Sequence, residues 1–258
     1  MQRFVGTILV VLVCLAVFVS PVAAGDVLGP GDIAIIGYNF DNPDQLAFVC
    51  LKKITSGTEI IFTDNGWLSN QSFRTGEGYF TWSEGCELGQ IISLLPDNLS
   101  PSGVFSLNYN GDQLFAYQQP SMQPVNHIFA LNGAGLDWQS TATSDTTSSL
   151  PTVLASLNPS PEISILSLDN AIYIGPKSFN TTADALAAIV NEANWSGSDT
   201  VRQTMPSGSF SFTTTAVYLS DFSAESGRES APWWVLVGLV VIPVLVLVFK
   251  RPKRDCCK

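Results

Sequence analysis

Val104-Phe-Ser-Leu-Asn-Tyr109, Asn110-Gly111 and Asp112-Gln-Leu-Phe-Ala-Tyr117 run on from one another without a break. Two alternating apolar stretches flank Asn-Gly, the dipeptide that best accepts the positive φ angles of a type I′ turn. The pattern predicts a β-hairpin. In that register Tyr109 faces Asp112, Leu107 faces Leu114 and Phe105 faces Ala116. The last two pairs place apolar side chains on one face, so turn and periodicity agree.

Similar short runs lie on both sides of the hairpin, between Gly, Pro, Asn and Ser clusters. They are Asp32–Tyr38, Leu46–Leu51, Glu59–Thr63, Gly78–Trp82, Gln90–Leu94, His127–Leu131, Ile163–Leu168, Ala171–Ile174 and Ser209–Thr213. With the hairpin arms they make eleven candidate strands. That count predicts a mainly β chain with a β-sandwich-like domain rather than an α/β fold. One helix interrupts it. Thr181 can cap its start with Asp184 three residues on, and Leu186, Ile189, Val190 and Ala193 form one apolar stripe. Gln139–Ser149 is rich in Ser and Thr and reads as a loop with little to bury.

The two ends have a different character. Residues 1–24 read as a signal peptide, with Arg3, an apolar run from Val5 to Val19, Pro21 and small Ala24 last. The rival readings are an uncleaved anchor and, on Cys14, a lipoprotein. Residues 25–219 form the expected β-rich domain and 220–230 a polar stalk. Ala231–Phe249 is a nineteen-residue uncharged run. As a helix it would reach about 28 Å, close to the hydrocarbon thickness of a bilayer. Trp233 and Trp234 stand at its start and Lys250, Arg251, Lys253 and Arg254 directly after it. Interfacial indoles and a positive-inside flank predict a single type I span with residues 250–258 as a basic cytoplasmic tail. A GPI signal has a similar spacer and apolar tail, but it would end in the apolar run. Cys256 and Cys257 beside the basic residues suit S-palmitoylation, with unmodified thiols as the alternative.

Charge divides along the same lines. The chain has 13% charged residues, a net charge of −10 and a mean hydropathy of +0.24. Residues 25–230 hold 21 acidic and 6 basic residues, and the tail holds 5 basic and 1 acidic. An acidic outer segment argues against nucleic-acid binding, which wants a basic face. Carboxylates also suit calcium, but no Asp-x-Asp-x-Asp-Gly loop occurs. Solubility and surface repulsion therefore explain the charge, and no metal site is expected.

In the outer segment Cys50 and Cys86 are the two cysteines and are expected to pair, with separate buried thiols as the alternative. Sequons start at Asn70, Asn98, Asn180 and Asn194. Pro101 follows the second sequon and Trp195 occupies the middle of the fourth, so Asn70 and Asn180 are the sites expected to carry glycans and lie exposed. The single histidine, His127, sits in an alternating strand, and no Gly-x-Ser-x-Gly elbow accompanies it. One imidazole cannot build a zinc site, and no phosphate loop occurs, so no cofactor is expected. Carboxylate pairs remain available for glycoside chemistry. The best local cluster joins Asp64-Asn65-Gly66-Trp67 to Arg74-Thr75-Gly76-Glu77-Gly78. Asp64, Trp67, Arg74 and Glu77 are its candidate ligand contacts, with sugar stacking on Trp67 or Trp82. The plainer alternative makes the glycines turns, Trp67 and Phe73 core, and Arg74 a partner of Glu77 or Asp64.

Several stretches carry a resemblance together. They are Gly31-Asp32-Ile33, Gly37-Tyr38-Asn39, Phe48-Val49, Gly57-Thr58, Ile61-Phe-Thr-Asp-Asn-Gly-Trp67, Phe73-Arg-Thr-Gly-Glu-Gly78, Gly111-Asp-Gln-Leu-Phe-Ala116 and Asn194-Trp195. Over residues 31–212 the set resembles a poorly characterised domain of secreted, often multidomain, bacterial and algal or protist surface proteins. Over residues 31–95 it is also loosely similar to the lamin-tail type of β-sandwich. The resemblance implies a surface β domain and carries no catalytic residues. Together these features predict a single-pass surface protein whose acidic, glycosylated ectodomain binds an outside ligand, glycan or protein. The alternatives are a membrane-tethered carbohydrate-active enzyme using a carboxylate pair, and a structural coat component.

Overall fold

A computed structural model describes residues 25–119 and 124–213. The segments expected to be a signal peptide, a stalk, a transmembrane run and a basic tail, with Cys256 and Cys257, lie outside those residues. Among the described residues no helix is long and apolar enough to cross a membrane.

The fold is mainly β. One sheet has the order β11-β9-β1-β2-β5 and the other β4-β3-β6-β7-β8. In the first are β1 (Ile33–Asn39), β2 (Gln45–Cys50), β5 (Ile91–Leu94), β9 (Asn170–Tyr173) and β11 (Trp195–Ser198). In the second are β3 (Ile60–Thr63), β4 (Tyr79–Trp82), β6 (Asp112–Gln118), β7 (Asn126–Gly133) and β8 (Glu162–Ile165). All neighbours are antiparallel except β7 and β8. A small parallel pair joins β10 (Ser178–Phe179) to β12 (Ser211–Phe212).

The two five-stranded sheets share one core, an arrangement consistent with a β-sandwich. Phe48 of β2 meets Phe62 of β3 at 5.5 Å and Trp82 of β4 at 5.2 Å between ring centroids. β1 is buried along its whole length, as its near-continuous apolar run Ile33-Ala-Ile-Ile36 requires. Cys50, the last residue of β2, is bonded to Cys86 across a separation of 36 residues. This is the expected disulfide.

α2 (Thr182–Ile189) carries the full capping box. Thr181 accepts from the Asp184 N–H, and the Asp184 carboxylate accepts from the Thr181 N–H. Its inward face is Ala185 and Ile189. Ala193 is exposed, because the α-helix ends at Ile189, so the stripe is one residue shorter than expected. A single further turn, α1 (Thr152–Ala155), packs on β7.

The predicted hairpin does not form. β6 pairs with β3 and β7, and Val104–Tyr109 joins no ladder with it. Leu114 lies opposite Leu131, and Ala116 opposite Phe129. Gly111 takes φ +125°, but Asn110 is not among the positive-φ residues, so the type I′ turn is absent. Phe105 and Leu107 are buried as the alternation demanded. Their backbone is held by carboxylates instead of a strand. Ser106 N–H donates to Asp64 Oδ2 (2.9 Å), Leu107 N–H to Asp44 Oδ2 (2.8 Å) and Asn108 N–H to Asp112 Oδ2 (2.8 Å). Three successive donors thus find three buried acids from separate parts of the chain.

Candidate functional site

The Asp64–Gly78 turn is a laced unit. Asp64 follows β3 and is buried, with Oδ1 accepting from Gly78 N–H (2.9 Å) and Oδ2 from Ser106 N–H. Asn65 accepts from Glu77 N–H (3.3 Å) and donates to the Gly78 carbonyl (3.1 Å). Gly66 lies against the Thr147 carbonyl, where a Cβ would come within 2.5 Å. Trp67 N–H donates to Ser148 Oγ, and its carbonyl accepts from the N–H groups of Ala142 and Ser149. The Gln139–Ser149 loop is therefore packed down on Gly66-Trp67, with Ala142 and Thr147–Ser149 buried, contrary to the expectation that it buries little. Its short hydroxyl side chains serve as hydrogen-bonding groups for the Trp67 backbone rather than as solvated loop polarity.

All four candidate contacts are thus in one neighbourhood. Arg74 bridges Glu77 (3.7 Å) and Asp145. Asp64 is closed off by its two backbone donors, and Trp67 is buried. Neither can be touched by a ligand from solvent, and Trp82 is buried as well, so the expected sugar stacking on Trp67 or Trp82 is corrected. Trp82 is on the core-facing side of β4, and Trp67, beyond the end of β3, is covered by the Gln139–Ser149 loop.

The acids here hold protons unusually well. Burial, then the negative charges of Asp64 and Asp145, push the Glu77 carboxyl up to about 8. Burial likewise raises Asp44 and Asp64 to about 6 and Asp112 well above the usual range. Asp112 gives both oxygens to backbone N–H groups, of Asn108 and Gln113. Asp44, Asp64 and Asp112 thus each fasten backbone N–H groups. Among the described residues no group of three or more His, Cys, Asp or Glu side chains could hold a metal ion.

Beneath the turn lies an aromatic box. His127 of β7 is 2% exposed and is ringed by Trp67 (4.4 Å), Phe73 (5.6 Å), Phe115 (5.9 Å) and Tyr117 (6.4 Å). Neither imidazole nitrogen has a hydrogen-bond partner, nor does Trp67 Nε1. Burial drives the imidazole down to about 4, so it is neutral over the physiological range.

Phe73 and Tyr117 also form the floor of an open groove of about 480 Å³. Tyr79, 43% exposed, forms one wall, and the amides of Gln71 and Gln119 stand along it. None of the four candidate residues lines this groove, and Trp67 packs against its Phe73 ring at 4.8 Å. The sequence reading missed Phe73, Tyr79 and Tyr117 as groove residues. The strand period could have found Tyr79. In Tyr79-Phe-Thr-Trp82 the second and fourth residues face the core, so the first must face out.

The glycan acceptors differ in their surroundings. Asn70, Asn98 and Asn180 are exposed. Asn194 is half-buried and donates through Nδ2 to the Ala188 carbonyl at the end of α2 (2.8 Å). No protein family, no curated protein and no solved structure matches this chain.

Proposed function

We propose that this chain is a single-pass type I surface protein whose β domain binds a glycan in the Phe73–Tyr79–Tyr117 groove. The observation that carries the reading is the open groove itself, with aromatic rings on its floor and wall and amides alongside. Sugar rings stack on aromatic faces through their C–H groups, while their hydroxyls take hydrogen bonds from amide and hydroxyl groups. The N-terminal apolar segment, the Ala231–Phe249 run and the basic tail support a membrane-anchored placement with the acidic domain outside. The resemblance to surface-protein domains points the same way. Carboxylate-based hydrolysis is the weaker reading, because Asp64 and Asp112 are committed to backbone N–H groups.

The test is a glycan array probed with the full-length chain in detergent micelles, beside Tyr79→Ala. The exposed ring contributes contact area without supporting the core, so the variant should fold normally and lose binding by about tenfold or more, equivalent to one stacking contact. Absence of any glycan signal, or a signal that Tyr79→Ala leaves intact, would overturn the groove assignment. Protease added to intact cells should remove the β domain and spare the tail. Protection of that domain would overturn the topology.

A further inference from the structure

The groove of Phe73, Tyr79 and Tyr117 continues along the face of its own sheet. Residues directly opposite on antiparallel strands point to one side, and so do residues two apart along a strand. Phe62 of β3 and Ala116 of β6 face the shared core, so their neighbours face away from it. Thr63 lies opposite Phe115, and Ile61 lies opposite Tyr117. Two residues further on, just outside the ladder, stand Glu59 and Gln119.

These three ranks meet different surroundings. Thr63 and Phe115 are buried beneath the Asp64–Gly78 turn, with Phe73 at 5.7 Å from Phe115 and 4.8 Å from Tyr117 between ring centroids. Beyond Tyr117 the turn no longer covers the sheet. Ile61 is half-buried, and Glu59 and Gln119 are exposed. These three residues line a second open hollow, of about 230 Å³. Gln119 borders both hollows, and the Ile61–Tyr117 pair joins their floors. From the rank of Thr63 to that of Glu59 is four residues of strand, about 13 Å along its axis.

The far rim is fixed in place. Asp26 N–H donates to Thr58 Oγ1 (2.8 Å), and the Asp26 carboxylate accepts from Thr55 N–H (2.7 Å). The buried Gln118 side chain accepts from Leu28 N–H and donates to the carbonyls of Asp26 and Glu59. Gly25 lies so near Gly57-Thr58 that a Cβ would come within 2.9 Å of Thr58 Cα. The segment 25–28 is thereby tied to β3 and β6, and the hollow is formed before any ligand enters it.

We propose that the two hollows are one trench for a linear, uncharged oligosaccharide, with Glu59 and Ile61 forming a second subsite beyond the aromatic one. This subsite presupposes the glycan reading of the groove and adds chain length and charge to it. Aromatic rings and Ile61 alternate along the trench with amide and carboxylate groups. That order suits a chain whose rings present C–H faces and hydroxyl edges in turn. An extended peptide would instead seek a bare strand edge, and the trench lies on a sheet face. Asp26 and Glu59 border the second hollow, and among the described residues no Lys or Arg lines either one. Such walls repel carboxylated and sulfated sugars and admit neutral ones.

The test measures affinities of the full-length chain in detergent micelles for size ladders of gluco-, manno- and N-acetylglucosamine oligosaccharides. Heparin-derived oligosaccharides serve as the charged counterpart. Within a series that binds, affinity should rise with length by about tenfold, equivalent to one added stacking contact, and then level off. Ile61→Ser and Glu59→Ala should each remove most of that gain and spare the shortest members, whereas Tyr79→Ala weakens every member. Glu59 is exposed, so its variant keeps the test decisive if Ile61→Ser folds poorly. Affinity that stays flat with length, or a gain that both variants leave intact, would overturn the second subsite and leave the aromatic groove standing. Tighter binding of the heparin series than of the neutral ones would overturn the proposal as well. Binding of no ladder would overturn the groove reading, and the trench with it.

Discussion

The indole of Trp67 meets the imidazole of His127 edge-on, at 4.4 Å and 86°, and no nitrogen of either ring is hydrogen-bonded. His127 is held neutral. Its folded pKa of about 4 lies below the ordinary 6.5, so its contribution to stability is present above pH 6.5 and is lost as pH falls through 4. His127→Phe keeps an aromatic ring in the box and removes two orphaned nitrogens. The variant should be more stable by about 1–3 kcal/mol at neutral pH and should resist acid better. Urea midpoints at pH 7 and pH 4.5 check it; a destabilised variant at both would show that the imidazole has a partner after all.

Glu77 works in the opposite direction. Its folded pKa of about 8 lies above the ordinary 4.5. It therefore supplies stability below pH 4.5 that is lost as pH rises through 8. Glu77→Gln imitates the protonated form, and Arg74 still has Asp145. The variant should melt higher than the parent at pH 8, by about 3–6 °C for 1–2 kcal/mol, and close to it at pH 5. Equal shifts at both pH values would refute the linkage.

Asp64 fastens two distant backbone donors, Gly78 and Ser106. Asp64→Asn retains one acceptor oxygen and should cost about 1–3 kcal/mol. Asp64→Ala retains none and should cost roughly twice that. Denaturant melts of the two variants should rank in that order, and exchange of the Ser106 and Gly78 amides should accelerate.

Removing the Cys50–Cys86 bond frees a loop of 36 residues in the unfolded chain. The double Ala variant should lose about 3–4 kcal/mol. Reduction of the parent should match it in the same urea titration.

Much of the fold was legible because strand signals are local. The continuous apolar runs in Leu46–Leu51 and in β1 each specify burial with no reference to distant chain. The capping box at Thr181 is likewise written within four residues. β11 was missed, because Trp195-Ser-Gly-Ser198 has neither alternation nor β-branched residues. It is a strand because it borders β9. The hairpin at Asn110-Gly111 failed for the converse reason. Its local pattern was sound, but Asp44 and Asp64, distant in sequence, and Asp112 nearby took the 106–108 donors instead. Of the site, the Asp64–Glu77 cluster was visible as composition. That it backs a groove, rather than forming one, depends on the Gln139–Ser149 loop closing over Trp67 through contacts about eighty residues away in sequence.

The carboxylate-held segment has a further effect at the margin of the second sheet. β4 is an outermost strand, and Tyr79 exchanges both of its main-chain bonds with Ser102, just before that segment. Gly78, without a side chain, lets Val104 and Phe105 pass within van der Waals reach of its backbone. The start of β4 is therefore capped by the chain's own irregular stretch, whose amides are turned inward to acids. A neighbouring molecule finds no bare ladder at the start of that strand on which to add one of its own, which blunts edge-to-edge association at that margin.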